Sequence, residues 1–426
     1  MPTLSVFLDV PSANVAEDKL LNAYNKDDNP NKVYLSHRAC KTNEGRNWIS
    51  PVVQKTLLQL VSDPTLDHEY LPTLGLKEFN RLTTELIVGR NNPAILSNRA
   101  GAVQTVGGTG AIRLGAEFLS MWHHGSQKAY IPWAQWDFHG HIFQSLGFSL
   151  CLYCYWDYER MHLDTSKFME IMENALEDSI FVLHNSESMG LTQQQWKTVA
   201  ELMKFSSPSL QQKRIFPFFD DPHQGFISGN LDQDVWAVRY FVDMGFEIFC
   251  SQTFTKNFGL YDERVGNLIV VTLSSQVMLK IRSQLEERAK YLWSSPPDLG
   301  ARIITTVLNN PALQAEWKNS LKALVETIML TREKLKEKLR LLGTPGSWEH
   351  LTCHEGTHSL LGLSLAQIDY LVKKKHIYLL RNGKVNLTCI NSHNLDYVSQ
   401  SINEAVLAYP HSSYPRCSFS SWEKVT

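Results

Sequence analysis

Several features that sort proteins into broad classes are missing from this chain of 426 residues. Its 41 lysines and arginines nearly balance 43 aspartates and glutamates, for a net charge of -2. The chain therefore lacks the basic excess that displaces counterions from a nucleic-acid backbone, and it carries no acidic tail. Cysteine is sparse, with seven residues scattered from Cys40 to Cys417, an odd number at no framework spacing, which excludes a disulfide scaffold. No run approaches the roughly 20 apolar residues that a membrane helix needs. The apolar start, Met1 to Val10, has no basic flank and meets Asp9 and Pro11, so it does not read as a secretory signal. With no address, the expected compartment is the cytosol. Cys151 and Cys154 have CxxC spacing, but Leu150 to Trp156 reads as a strand whose alternate side chains point to opposite faces, so neither a metal nor a redox role is expected.

What remains is an ordinary globular composition, 43% hydrophobic and 20% charged, long enough for roughly two to four domain-sized pieces. Trp48 to Leu60 has helical spacing. So does the segment opening at Gly107-Gly108-Thr109-Gly110, where Ile112, Gly115, Ala116, Leu119 and Trp122 share a face. Ser179 to His184, Arg214 to Asp220 and Glu247 to Thr253 are short continuous apolar runs, as expected of strands buried on both faces of a parallel sheet. Between the last two, Asp232 to Gly245 carries a helical stripe, completing a βαβ unit. Gln314 to Gly343 is one long amphipathic helix. After it, Leu365 to Lys375 is helical, and His376 to Leu380 and Lys384 to Ile390 read as strands of a hairpin around Asn382-Gly383. The segment after Pro410 is Ser-rich and aperiodic, and reads as a flexible tail. Ser206 to Lys213 reads as a polar surface loop.

A glycine-rich strand-to-helix turn presents backbone N–H groups and a helix dipole to an anion. Gly108, Thr109 and Gly110 are such a turn, although tight helix packing would also call for glycines, and no Lys-Ser/Thr pair follows to make a nucleotide P-loop. Asp220 and Lys256 close two successive buried strands, and ligands of open parallel sheets bind outside the carboxyl ends of strands. An acid and a lysine beside an anion cradle suit pyridoxal phosphate, with the lysine forming the imine and the carboxylate pairing the ring nitrogen. A plain Lys-Asp ion pair at the sheet edge is the competing reading.

The stretch Ser251-Gln252-Thr253-Phe254-Thr255-Lys256-Asn257-Phe258-Gly259 running on to Arg264-Val265-Gly266 resembles the lysine motif of the fold-type I aspartate aminotransferases. The likeness extends through His68 to Pro72, Gly107 to Ala111, Phe218-Phe219-Asp220 with Gln224-Gly225-Phe226, and Trp293 to Pro297, covering the chain up to about Ala408. The resemblance implies an α/β fold, a large mostly parallel sheet flanked by helices plus a smaller α+β domain. The implied domains are an arm over 1–13, a small domain over 14–47 and 314–409, the latter including the connecting helix, a large cofactor domain over 48–313, and a tail over 410–426. It also implies a homodimer with shared active sites acting on small-molecule substrates, aspartate or glutamate and 2-oxo acids, with no nucleic acid, membrane or metal involved.

Carried over by position, Lys256 would be the imine lysine and proton shuttle, and Asp220 the partner of the ring nitrogen. Trp136 would stack on the ring and border the substrate. Gly108, Thr109, Thr253 and Arg264 would hold the phosphate, with Tyr70 reaching the other subunit's phosphate. The departures gather around the substrate. Lys384 and Lys290 stand where the family has two carboxylate-binding arginines, and lysine lacks the planar fork. Arg38 replaces a glycine of the segment that closes over the substrate, where its cation would either bind the substrate in place of a lost arginine or block the gate. His223 stands for a tyrosine facing the cofactor's phenolic oxygen, and Asn185 is the candidate for an asparagine whose motif is gone. His354 and His358 sit in a stretch that is apolar in the family, with a glycine between them that disfavours zinc. The sequon at Asn386 reads as chance. The expected activity is aspartate aminotransferase-like transamination, weakened or altered by the lost arginines. A catalytically inert dimer with an interaction role, or an amino-acid racemase side activity, are the alternatives.

Overall fold

The computed structural model describes residues 5, 7–11, 16–132, 139–154, 156–157, 160–184, 190–206, 211–221 and 223–410. The expected flexible tail lies outside these residues beyond Pro410, as do Trp136 and Asn185.

Seven strands form the main sheet: β1 (Ala100–Val106), β2 (Lys128–Pro132), β3 (Ser149–Tyr153), β4 (Ile180–His184), β5 (Phe216–Asp221), β6 (Ile248–Thr253) and β7 (Val265–Val271). Their order across the sheet is β1-β7-β6-β5-β4-β2-β3. β7 runs antiparallel to both its neighbours, and every other pairing is parallel. The continuous apolar runs follow from burial on both faces. Phe218 packs into a core with Ile112, Leu114 and Phe249, while its neighbour Phe219 enters a core with Trp196, Val238 and Phe241 on the other face, as the two-residue period of a strand requires. The Gly107–Trp122 helix presses so closely on the sheet that a Cβ at Gly115 would lie 2.7 Å from the Phe218 ring.

The rest of the chain packs around a 31-residue helix, Pro311–Leu341. Asn310 caps it by accepting from the Ala312 and Leu313 amides, and Pro311 occupies the first turn, where its missing N–H costs nothing. Trp317, fully buried, stacks on Phe258 with ring centroids 4.5 Å apart and donates from its indole nitrogen to the Asn257 carbonyl at 2.7 Å. The helix therefore holds the turn that carries Lys256. Further along it, the buried Arg332 donates to the carbonyls of Leu351, Gly356 and His358 at 2.8, 2.8 and 2.6 Å, fixing an otherwise irregular segment.

Four local expectations differ from the structure. The strands flanking Asn382-Gly383 do not form a hairpin. Gly383 closes a turn, its amide donating to Leu380 O at 2.9 Å, but Ile377–Tyr378 pairs in parallel with Val33–Tyr34, and Lys384–Asn386 pairs antiparallel with His358–Leu360. Turn chemistry fixed the reversal, and long-range partners took the strands. The 232–245 stripe is two helices, Leu231–Asp234 and Trp236–Asp243, because Asp234 turns back to accept from the amides of Gly225, Ile227 and Ser228. Leu150 to Trp156 is not one strand, since Trp156–Asp157 leaves the sheet to pair with His162–Leu163. In the polar stretch from Ser206 to Lys213, Ser206 pairs with Gln211, and Lys213 is buried with its ammonium on the carbonyls of Met172 and Glu173 at 2.7 and 2.8 Å. Asn386 is fully buried, its amide donating to His37 O and Ala39 O at 2.8 and 3.0 Å, so the sequon is closed to modification.

The core holds one unusual group. Asp221 is fully buried and neither carboxyl oxygen finds a side-chain hydrogen-bond partner among the described residues. Burial pushes this carboxyl well above its ordinary value, the carboxylates of Asp234 and Asp220 push it further, and the His223 amide offsets this only in part. The folded chain therefore binds this proton more tightly than the unfolded one. The associated stability is complete below the unfolded carboxyl's titration near pH 4 and is lost as pH rises from there toward the raised folded value. Asp221→Asn is expected to raise Tm at pH 7 by several degrees, at about 2–4 °C per kcal/mol, with the gain shrinking toward pH 4. Thermal unfolding across pH checks it.

Candidate active site

The carboxyl ends of β4, β5 and β6 bring His184, Asp220 and Ser251 into one row, because Asp220 is in register with His184 on one side and Ser251 on the other. Asp220 is 6% exposed. One carboxyl oxygen lies 3.2 Å from His139 Nε2 and 3.1 Å from His184 Nδ1. Burial alone would raise this carboxyl, but the charge and hydrogen bonds of His139 and then of His184 outweigh it and hold the group far below the usual carboxylate range. Asp220 is thus an ionised acid kept out of water. Neither histidine was found from sequence. His184 ends a recognised strand, so the parallel register beside Asp220 was the available signal; His139 comes from a segment with no periodicity to place it.

Lys256 sits on the turn after β6. Phe254 and Phe258 anchor it in the core, the Phe254 amide donates to Val265 O at 3.0 Å, and the Gly259 amide donates to Lys256 O at 2.9 Å. Gly259 has φ +73°, and a Cβ there would fall 2.5 Å from the Trp48 carbonyl, so only glycine closes this turn. The Lys256 ammonium lies 3.2 Å from His223 Nδ1.

Beside them is an anion cradle. The Gly107–Trp122 helix starts behind Val106, whose side chain cannot cap it, and no side chain takes the first-turn amides. Gly107 has φ +64°, and a Cβ there would lie 3.0 Å from an Arg264 guanidinium nitrogen; a Cβ at Gly108 would lie 3.4 Å from Thr253 Cβ. Uncapped amides including those of Gly108 and Thr109, a cation and a threonine hydroxyl therefore converge where a side chain would intrude, and this donor set suits a phosphate. Thr253 Oγ1 donates to Val265 O at 3.2 Å. Pyridoxal phosphate fits these residues: Arg264, Thr253 and the helix start would hold its phosphate, Asp220 its ring nitrogen, and Lys256 its aldehyde carbon.

Gly266 underlies the cradle, since a Cβ there would sit 2.6 Å from the Gly107 carbonyl carbon. Gly266→Ala is expected to displace the turn at a cost of about 1–3 kcal/mol, weakening cofactor binding about 5- to 100-fold in equilibrium dialysis.

The other sequence-designated residues come from separate elements. Tyr70 is 84% exposed, and Lys290 is exposed in the last turn of the Ser275–Trp293 helix. Arg38 is ion-paired with Glu17 of the Ala16–Lys26 helix, and its side chain is mostly exposed. Lys384 starts its short strand half-buried, opposite Leu360. Among the described residues no cluster of three or more His, Cys, Asp or Glu could hold a metal, His354 and His358 included, and no helix is long and apolar enough to cross a membrane.

Residues 30–402 match the family model for aminotransferase class I and II. The chain is 50% identical over 406 residues to the bovine "Putative aspartate aminotransferase, cytoplasmic 2", covering 95% of this chain and 98% of that protein. It is 44% identical over 412 residues to chicken cytoplasmic aspartate aminotransferase, covering 94% and 98%. The cytoplasmic aspartate aminotransferase of Saccharomyces cerevisiae superposes with a TM-score of 0.90 at 30% identity, over 95% of this chain and 99% of that one. An aromatic-amino-acid aminotransferase from Burkholderia pseudomallei, solved covalently bound to pyridoxal phosphate, superposes with a TM-score of 0.89 at 29% identity, over 94% and 100%.

Proposed function

The chain belongs to the class I and II aminotransferases, and on that premise we propose that it moves an amino group between aspartate or glutamate and 2-oxo acids. In this reading its hold on the substrate carboxylates is looser than an arginine pair would give. Pyridoxal phosphate is the cofactor of this family, and when bound it supplies the aldehyde that accepts the amino group and the ring that draws electrons from the substrate.

The observation that carries the reading is the joint placement of a buried, ionised Asp220, the Lys256–His223 contact and the uncapped glycine turn. Asp220, held charged by His139 and His184, would pair with the cofactor's ring nitrogen and favour its protonated form. Lys256 would hold the cofactor's aldehyde carbon and, once released, its amine would serve as the base that moves the substrate Cα proton. His223, 3.2 Å from the lysine nitrogen, orients that amine. Lys384 and Lys290 attract the substrate carboxylates as point charges without the two-pronged geometry that fixes direction. Trp136 and Asn185 belong to the same assignment through family position.

The wider arrangement belongs to the proposal too: a cofactor domain over 48–313, a small domain over 14–47 and 314–409, and a homodimer. The exposure of Tyr70, and of Phe7 and Leu8 at 73% and 67%, supports a partner surface there. The cytoplasmic names of its relatives support that location. The test is absorbance spectroscopy of the cofactor-loaded protein on adding aspartate. Conversion of the lysine-bound chromophore to the amine form supports transamination, and an unchanged spectrum at saturating aspartate contradicts it.

A further inference from the structure

A cavity of about 400 Å³, whose lining shares no residue with the Asp220–Lys256 group or the glycine turn, lies between Arg160–His162 and the segment after the long helix. Two of the side chains that line it, Trp348 and His354, each hold a buried ring nitrogen, Nε1 and Nδ1 respectively, with no hydrogen-bond partner among the described residues. His350, 8% exposed beside them, is held by the backbone of Ser347 and Leu360. Buried polar atoms are almost always satisfied, so two such atoms at one void call for an occupant with polar atoms of its own. The cavity is also firmly built. Arg332 pins the carbonyls of Leu351, Gly356 and His358 behind it, and Trp156, Met161 and Leu360 form a small apolar cluster at its edge.

The lining chooses the chemistry. Glu349, the one acid among the described residues of the lining, is engaged by Lys336 at 2.7 Å. The Arg160 guanidinium stands at the rim, 3.9 Å from Asp157 and largely exposed. Trp348 can only donate. Burial holds His350 and His354 below the ordinary histidine value, His354 at about 4, with the nearby Arg332 cation adding a smaller part, so the charge an anion would meet in the lining is that of Arg160. Met161, Leu361, Leu363 and Val406 supply apolar wall. We propose that this cavity is a binding site for a small carboxylate bearing a compact apolar group, separate from the transamination site. Its carboxylate would take the Trp348 N–H and the Arg160 guanidinium, and its apolar group would cover the leucines. Leu361 follows the strand in which Leu360 faces Lys384, so an occupant would touch the segment paired with the strand that carries that lysine.

Cys353, an exposed free thiol in the lining, provides a local readout. Alkylation of the cofactor-loaded full chain by iodoacetamide, followed by peptide mass spectrometry, gives the rate at Cys353, with the half-buried Cys151 as internal control. Phenylacetate is expected to slow Cys353 about tenfold at saturation while leaving Cys151 unchanged, and phenylacetamide to protect far less. Trp348→Phe and Arg160→Gln should each reduce the protection without changing the unprotected rate. An unchanged Cys353 rate with phenylacetate, equal protection by the amide, or full protection in Arg160→Gln would overturn the proposal. If Trp348→Phe does not fold, the exposed Arg160 variant decides.

Discussion

Replacing Lys384 and Lys290 together with arginine is expected to raise kcat/KM for aspartate by about 10²- to 10⁴-fold. The physical ground is orientation rather than charge, since both lysines already carry a positive charge. A guanidinium presents two parallel N–H groups to both oxygens of a carboxylate, whereas an ammonium on four rotatable bonds fixes neither distance nor direction. Substrate that can swivel spends less time with its Cα–H aligned to the Lys256 amine, and each tenfold loss in productive alignment is about 1.4 kcal/mol of barrier. Lys384 has a defined base for this change, as its strand pairs with His358–Leu360 and the neighbouring Asn386 is tied to His37 and Ala39. Steady-state kinetics of the single and double variants check it. A gain mostly in kcat/KM supports loose orientation, and a double variant no faster than the parent removes the lysines as the limiting feature.

The second large effect is loss. Lys256→Ala should abolish covalent attachment of the cofactor and lower kcat by more than about 10⁴-fold, beyond the 10²- to 10⁴-fold typical of one acid–base group, because one side chain serves both attachment and proton transfer. Phosphate binding should survive, since the Gly107–Gly108 turn, Thr253 and Arg264 are untouched. The variant should therefore hold pyridoxal phosphate reversibly, with its free-aldehyde absorbance, while showing no turnover. Retained covalent attachment would place the reactive lysine elsewhere.

Much of this site was legible from residue types. Phe216 to Asp220 and Ile248 to Thr253 announce strands by continuous apolarity, and strands buried on both faces place the polar residues that end them at the crevice. Gly107 and Gly108 were legible as a glycine-rich turn at a helix start, where backbone N–H groups face an anion. What escaped was set by distance along the chain. His139 and Asp220 are 81 positions apart, and their contact is created by sheet order, which local periodicity does not encode. Asn382-Gly383 signalled a turn correctly, yet which strands it would serve was decided by Val33–Tyr34 and His358–Leu360, competing partners remote in sequence. Asp221 reads in sequence as a second acid beside the first. Only the alternation of β5 turns it into the core, where its lack of side-chain partners appears. The Arg38 substitution was legible as a departure, but its ion pair with Glu17 depends on where the first helix packs.

The most direct test of the central claim, an aminotransferase with an intact cofactor site and a loosened substrate grip, is the absorbance spectrum of the purified, cofactor-loaded protein in a titration with aspartate. The account predicts a lysine-bound chromophore that converts to the amine form, slowly and with half-conversion at a high aspartate concentration, and faster in the Lys384→Arg, Lys290→Arg double variant. A chromophore that never forms, or that forms and remains unchanged by aspartate in both proteins, would contradict it.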